Sequence, residues 1–129
     1  MTEAILTIDE VYARKVIDLA MRIAEALTER HDNKAVFATL ERHQPKPDAV
    51  DERSCAIRLL WGKAARKLRR YQTSRQALDV VAERCQGDVQ RRARYLAAQV
   101  AYYQSAREGL PLLDAFAKAY PEDSYTDDV

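Results

Sequence analysis

Two cysteines, two histidines and a dense run of cations are the residues of this chain whose types and spacing could carry chemistry. Cys55 and Cys85 stand 30 positions apart, with no CxxC pair to suggest zinc or redox exchange. The helices around them form an antiparallel hairpin turning near residues 70–72. Each cysteine then lies about fifteen residues from the turn, so both reach the hairpin's open end at equal rise per residue. Antiparallel neighbours can bring such side chains within disulfide range; two buried free thiols, acting as small apolar side chains, are the other reading. A disulfide here would imply an oxidising compartment.

His31 and His43, twelve apart at helix ends, read as surface or helix-terminus residues and not as metal ligands. GxSxG, HExxH and Gly-rich phosphate-loop motifs are missing, and every Glu falls on a polar helix face or a terminus. No catalytic constellation, cofactor or metal is expected. Between Glu52 and Arg75 there are eight cations (Arg53, Arg58, Lys63, Arg66, Lys67, Arg69, Arg70, Arg75) against one carboxylate. Either this is a solvated helix face, or it binds an anionic partner by charge-assisted hydrogen bonds.

The elements that must position these residues follow from composition and periodicity. Of 129 residues, 21 are Lys or Arg and 20 are Asp or Glu, a net charge of +1, so a globally basic nucleic-acid binder is excluded. Only 3 Gly and 4 Pro argue for long helices over a many-turned β fold. No run of apolar residues is long enough to span a bilayer. Met1 to Leu6 lack the pattern of a signal peptide, which leaves a cytoplasmic protein or one whose targeting segment lies outside this stretch.

Six helices are expected in one domain covering 1–129. The first, 8–31, carries the stripe Ile8, Tyr12, Val16, Leu19, Ile23 and Leu27. A short second helix, 34–43, precedes a loop forced by Pro45 and Pro47. The third, 51–70, turns inward Ile57, Trp61, Ala64, Ala65 and Leu68. The fourth, 74–85, is capped by Thr73 or Ser74 and buries Ala77, Leu78 and Val81. Gly87 ends that hairpin, and the fifth helix, 89–104, buries Ala93, Leu96, Ala97, Val100 and Tyr103. The sixth, 106–120, tolerates Pro111 in its first turn and buries Leu110, Leu113, Phe116 and Tyr120. Trp61 reads as packing between hairpins.

The second half repeats itself at an offset of 35. Trp61-Gly62 matches Leu96-Ala97, Ser74 matches Gly109, Leu78 matches Leu113 and Val81 matches Phe116. Small residues at 62, 74, 97 and 109 let paired helices approach closely. The first hairpin fits at an offset of 38, with Ala24 and Val36 in the small positions. Helix pairs at this period point to an all-α solenoid of about three antiparallel hairpins, 8–43, 51–85 and 89–120, with 121–129 a tail or the start of a next repeat.

The segment Leu59-Leu60-Trp61-Gly62-Lys63-Ala64-Ala65-Arg66-Lys67-Leu68-Arg69-Arg70-Tyr71 resembles the core of a tetratricopeptide repeat. The ending Phe116-Ala117-Lys118-Ala119-Tyr120-Pro121-Glu122-Asp123-Ser124-Tyr125-Thr126-Asp127-Asp128 resembles repeats in the helical superhelix of soluble lytic transglycosylases and in cell-envelope assembly lipoproteins. The resemblance covers about 54–128, and 8–50 only loosely. It implies a periplasmic or envelope location, a longer parent protein carrying any catalytic domain elsewhere, and a non-catalytic scaffold in this stretch. In such repeats the first helix of each pair lines the groove, which would place Lys63, Arg66, Lys67, Arg91, Arg94 and Tyr102 there. The expected partner is an acidic protein or peptide, or a peptidoglycan-related strand. A nucleic acid or other anionic polymer on the 53–75 patch is the competing reading, poor in interleaved aromatics. The acidic tail Glu122, Asp123, Asp127 and Asp128 could answer the basic face of a neighbouring repeat and so favour self-association.

Overall fold

The computed structural model describes residues 7–125. Six helices follow in chain order: α1 (Ile8–Glu29), α2 (Asn33–Glu41), α3 (Glu52–Lys67), α4 (Tyr71–Arg84), α5 (Asp88–Gln104) and α6 (Ala106–Ala119). There is no strand among the described residues. Sequential helices pack on one another, and α3 also touches α5. No helix among the described residues is long and apolar enough to cross a membrane.

The 35-residue offset is visible in the helix boundaries themselves. α4 and α6 are both 14 residues long and lie 35 apart at both ends. The 38-residue offset holds at the first turn with equal fidelity. In the α1–α2 turn the amide of Asp32 donates to the carbonyl of Leu27, and that of His31 to Thr28. In the α3–α4 turn the amide of Arg70 donates to Ala65, and that of Arg69 to Arg66. Both are the paired bonds of a Schellman cap, with His31 (φ 60°) and Arg69 (φ 63°) in the left-handed position that usually takes glycine. The α5–α6 connection differs. Ser105 alone ends one helix and caps the next, accepting from the amide of Glu108.

The helix-four cap falls elsewhere than Thr73 or Ser74, because that helix begins earlier, at Tyr71. Ser74 is fully buried inside it, and its hydroxyl donates to the carbonyl of Gly62 at 2.7 Å, tying α3 to α4 at their crossing.

Two clusters of buried side chains share α3. Ala24, Val36, Phe37 and Leu40 pack against Ile57, Ala64 and Ala65. On its other side Cys55 and Leu59 meet Leu78, Val81, Cys85, Ala93, Leu96, Ala97 and Val100. Trp61 lies between the first and second hairpins, its ring stacked on Phe37 at 5.1 Å. Cys55 and Cys85 are joined in a disulfide at the open end of the α3–α4 hairpin, with Cα atoms 6.2 Å apart.

The proline loop between α2 and α3 is held by a buried arginine. Arg58 is 6% exposed and donates to the carbonyls of Ala49, Lys46 and Pro47. Arg84 donates to Pro47 as well. Loop carbonyls with no helical partner are thus satisfied by guanidinium donors in a fixed fork.

Two expectations about core faces are corrected. On α1, Ile8, Tyr12, Leu19 and Ile23 are exposed, at 88%, 70%, 58% and 45%. The face that packs is Ile17, Ala20, Met21, Ala24 and Leu27. The helix carries two apolar stripes roughly 130° apart at 100° per residue, and the one rich in small residues allows close approach to α2. On α5 and α6, Tyr103 (47% exposed) and Leu110 (56% exposed) lie outside the core. Both sit near the α5–α6 turn, where helix backbones meet so closely that large side chains are displaced outward.

Candidate functional site: a cationic face on α3 and α5

α3 and α5 are the first helices of their hairpins and lie side by side. Lys63 and Arg66 sit one turn apart on α3, with Lys67 beside them. Lys63 is half-buried, and its ammonium is held below the ordinary lysine range, chiefly by desolvation and then by the positive charges of Arg92, Arg66 and Lys67. None of Lys63, Lys67 and Arg92 forms an ion pair among the described residues. Arg66 donates through Nη1 to the side-chain carbonyl of Gln99 at 2.8 Å, and Gln99 donates onward to the Tyr95 hydroxyl. The Nε of Arg66 is buried without a hydrogen-bond partner. Lys63, Arg66, Lys67 and Arg92 thus lie close enough for their charges to act on Lys63 with no carboxylate offsetting it, while Asp88, one turn before Arg92 on α5, is itself held low by its bond to Arg91 and in part by the Arg92 charge. Like charges so placed disfavour one another's charged forms, and a neighbouring anion would offset that.

Lys63 and Lys67 also border a hollow of about 270 Å³ closed by Thr28, His31, Asn33, Val36, Leu60 and Ala64. The α1–α2 turn, with His31, thus adjoins the cationic face.

The six groove residues expected from sequence do not form one site. Lys63, Arg66 and Lys67 come together; Arg91, Arg94 and Tyr102 do not join them. Arg91 pairs with Asp88 at 2.6 Å and with Asp123, and its guanidinium lies over the Tyr125 ring. The Asp88 and Asp123 carboxylates hold it above the ordinary arginine range. Arg94 donates to the Tyr120 hydroxyl at 2.7 Å on the α6 side. Tyr102 is exposed beside Tyr103 at the α5–α6 turn. The α5 residue whose charge acts on Lys63 is Arg92. Consecutive positions on a helix diverge by 100°, so Arg91, Arg92 and Arg94 point in different directions, and spacing alone does not say which lies nearest α3.

One residue of the acidic tail, Asp123, lands within the chain. Asp123, 8% exposed at its side chain, pairs with Arg91. Tyr125 stacks flat on Tyr95 at 4.3 Å, and Tyr95 meets Phe116 edge-on. Asp123 thus answers Arg91 of its own hairpin, and Glu122 is exposed. Asp127 and Asp128 lie outside the described residues.

A larger cleft, about 510 Å³, opens between α4, α5 and α6. Its floor is Ala82, Ala97, Ala98, Ala115 and Phe116, and its rim carries Arg75, Asp79, Glu83, Arg94 and Tyr120. Arg75 is paired with Asp79 and Arg94 is bonded to Tyr120, so most of that rim is already satisfied. Size favours this cleft, but uncompensated charge favours the α3–α5 face, and charge is what draws a ligand over distance.

Among the described residues no three His, Cys, Asp or Glu side chains gather as a metal site would require. No known family model, curated protein or solved structure matches the chain.

Proposed function

We propose that this chain is a non-catalytic helical-repeat scaffold, its hairpins stacked as a tetratricopeptide-like solenoid, that binds an acidic protein segment along the α3–α5 face. The observation that carries the reading is the half-buried Lys63, crowded by Arg66, Lys67 and Arg92 and facing no carboxylate. Carboxylates of an extended acidic peptide would meet the Lys63 and Lys67 ammonium groups and the Arg92 guanidinium. The equal length and spacing of α4 and α6 support the stacked-repeat arrangement. The Cys55–Cys85 bridge supports placement in the periplasm or cell envelope, as part of a larger protein of the lytic-transglycosylase kind.

The test is fluorescence anisotropy with a labelled poly-glutamate peptide and with single-stranded DNA of equal charge. The expected result is peptide binding that weakens with rising salt and falls at least about tenfold in the Lys63→Ala/Arg92→Ala variant, a loss expected when charge-assisted contacts are removed. Equal or tighter binding of the DNA would replace the acidic segment with a nucleic acid. Absence of binding to either probe would remove the reading.

A further inference from the structure

We infer that α1 is a self-association helix, through which two copies of the chain pair antiparallel about a twofold axis passing between Lys15 and Val16. This does not rest on the acidic-segment reading, since α1 turns a different stripe toward α2.

α1 is 22 residues long, but the helix it packs on, α2, has only 9. Residues 8–15 are exposed on every side, an overhang of about 12 Å at 1.5 Å per residue. A helix stub with no packed face is marginal in water. Yet this stub carries Ile8 at 88% and Tyr12 at 70% exposure. The stripe continues onto the supported half as Leu19 (58%) and Ile23 (45%). At 100° per residue these four side chains lie within about 60° of one another.

The spacing of the stripe identifies its occupant. Ile8, Tyr12, Leu19 and Ile23 follow one another at steps of four, seven and four, which reads the same from either end. A twofold interface requires that if one residue meets a second, the second meets the first. Antiparallel pairing meets that condition along the whole stripe, with Ile8 against Ile23 of a second copy, Tyr12 against its Leu19, and the reverse. The same register lays the unsupported half of each α1 along the supported half of the other. It also opposes the two helix dipoles. A parallel pairing would leave both overhangs together at one end and force both folded bodies together at the other. Lys15, beside the axis on one flank, keeps its ammonium in water while its stem lies on the stripe.

Size-exclusion chromatography with light scattering at up to about 100 μM is expected to give twice the chain mass of 14.8 kDa. Tyr12→Asp and Leu19→Asp are expected to return the mass to that of one chain with helical circular dichroism retained. Register is read by single cysteines under oxidation: Val16→Cys lies at the axis and crosslinks to itself, whereas Ile8→Cys does not. A wild-type chain that stays monomeric at that concentration overturns the inference, and so does an Ile8→Cys crosslink forming in place of the Val16→Cys one. The cysteine variants keep the question decidable if the aspartates unfold the protein.

Discussion

Gly109 is pressed against the backbone of Tyr102: a Cβ built on the glycine would stand 2.1 Å from the Tyr102 Cα and 2.2 Å from its amide nitrogen. The one-residue Ser105 connection sets that closeness, because α6 departs from α5 with almost no chain in which to move away. Gly62 makes the comparable approach to α4, but what a Cβ there would meet is the Leu78 side chain, at 2.9 Å.

The two glycines therefore predict different outcomes. Gly62→Ala asks Leu78 to shift in a packed core, a cost of about 1–3 kcal/mol. Gly109→Ala meets backbone that cannot yield, so α6 must undock, and the loss exceeds that of Gly62→Ala. Chemical denaturation of both variants measures the order; a Gly109→Ala protein as stable as Gly62→Ala would contradict it.

Arg69 occupies a left-handed position at φ 63° that costs an ordinary side chain about 1 kcal/mol. Arg69→Gly removes that cost and adds a smaller one by loosening the unfolded chain. A net gain of roughly 0.5 kcal/mol is expected, read as a rise in thermal midpoint. His31→Gly is expected to behave alike, since its turn has the same bonds.

These turns show how far the sequence could be read. Prolines 45 and 47, the acidic start of α1 and Gly87 mark the helix ends within a few residues. The 35- and 38-residue offsets reappear in helix boundaries and turn bonds. What periodicity did not settle was rotation about the helix axis. α1 carries two apolar stripes, each with large side chains; Ala20 and Ala24, at the centre of the packed one, are weaker signals than Leu19 and Ile23, which stay exposed. The same ambiguity selected Arg91 and Arg94 over Arg92. Lys63, Arg66 and Lys67 fall within one turn of α3, so helical spacing alone keeps them near one another, whereas Arg58 of the same helix is buried against the proline loop. The docking of Asp123 onto Arg91 has no local signature, since it joins residues 32 apart through a turn after α6.

The Cys55–Cys85 bridge closes a loop of 30 residues, which predicts about 3–4 kcal/mol of stabilisation by restricting the unfolded chain. Thermal melting with and without reductant, and of the Cys55→Ala/Cys85→Ala variant, measures it. A midpoint drop of roughly 10 °C or more is expected; equal midpoints would contradict it. Thiol titration of the unfolded, unreduced protein is expected to find none free.

Lys63 predicts an opposition between stability and binding. Its charged form is disfavoured in the folded chain, so the penalty is present at neutral pH. It fades as pH rises from the depressed folded value to the ordinary 10.5. Lys63→Met is expected to raise the thermal midpoint at pH 7 by a few degrees while weakening poly-glutamate binding. The stability gap between the variant and the wild type is expected to narrow as the pH rises toward 10.5, the ordinary lysine value.

Arg58 has a mechanical consequence. Its guanidinium grips three carbonyls of the proline loop from a buried seat on α3, one turn beyond Cys55. Tension on the amino-terminal hairpin would thus not simply unspool the segment between α2 and α3. It would be transmitted through that latch, seconded by Arg84, into the cystine clasp, making the middle hairpin the anchorage on which the other two hang.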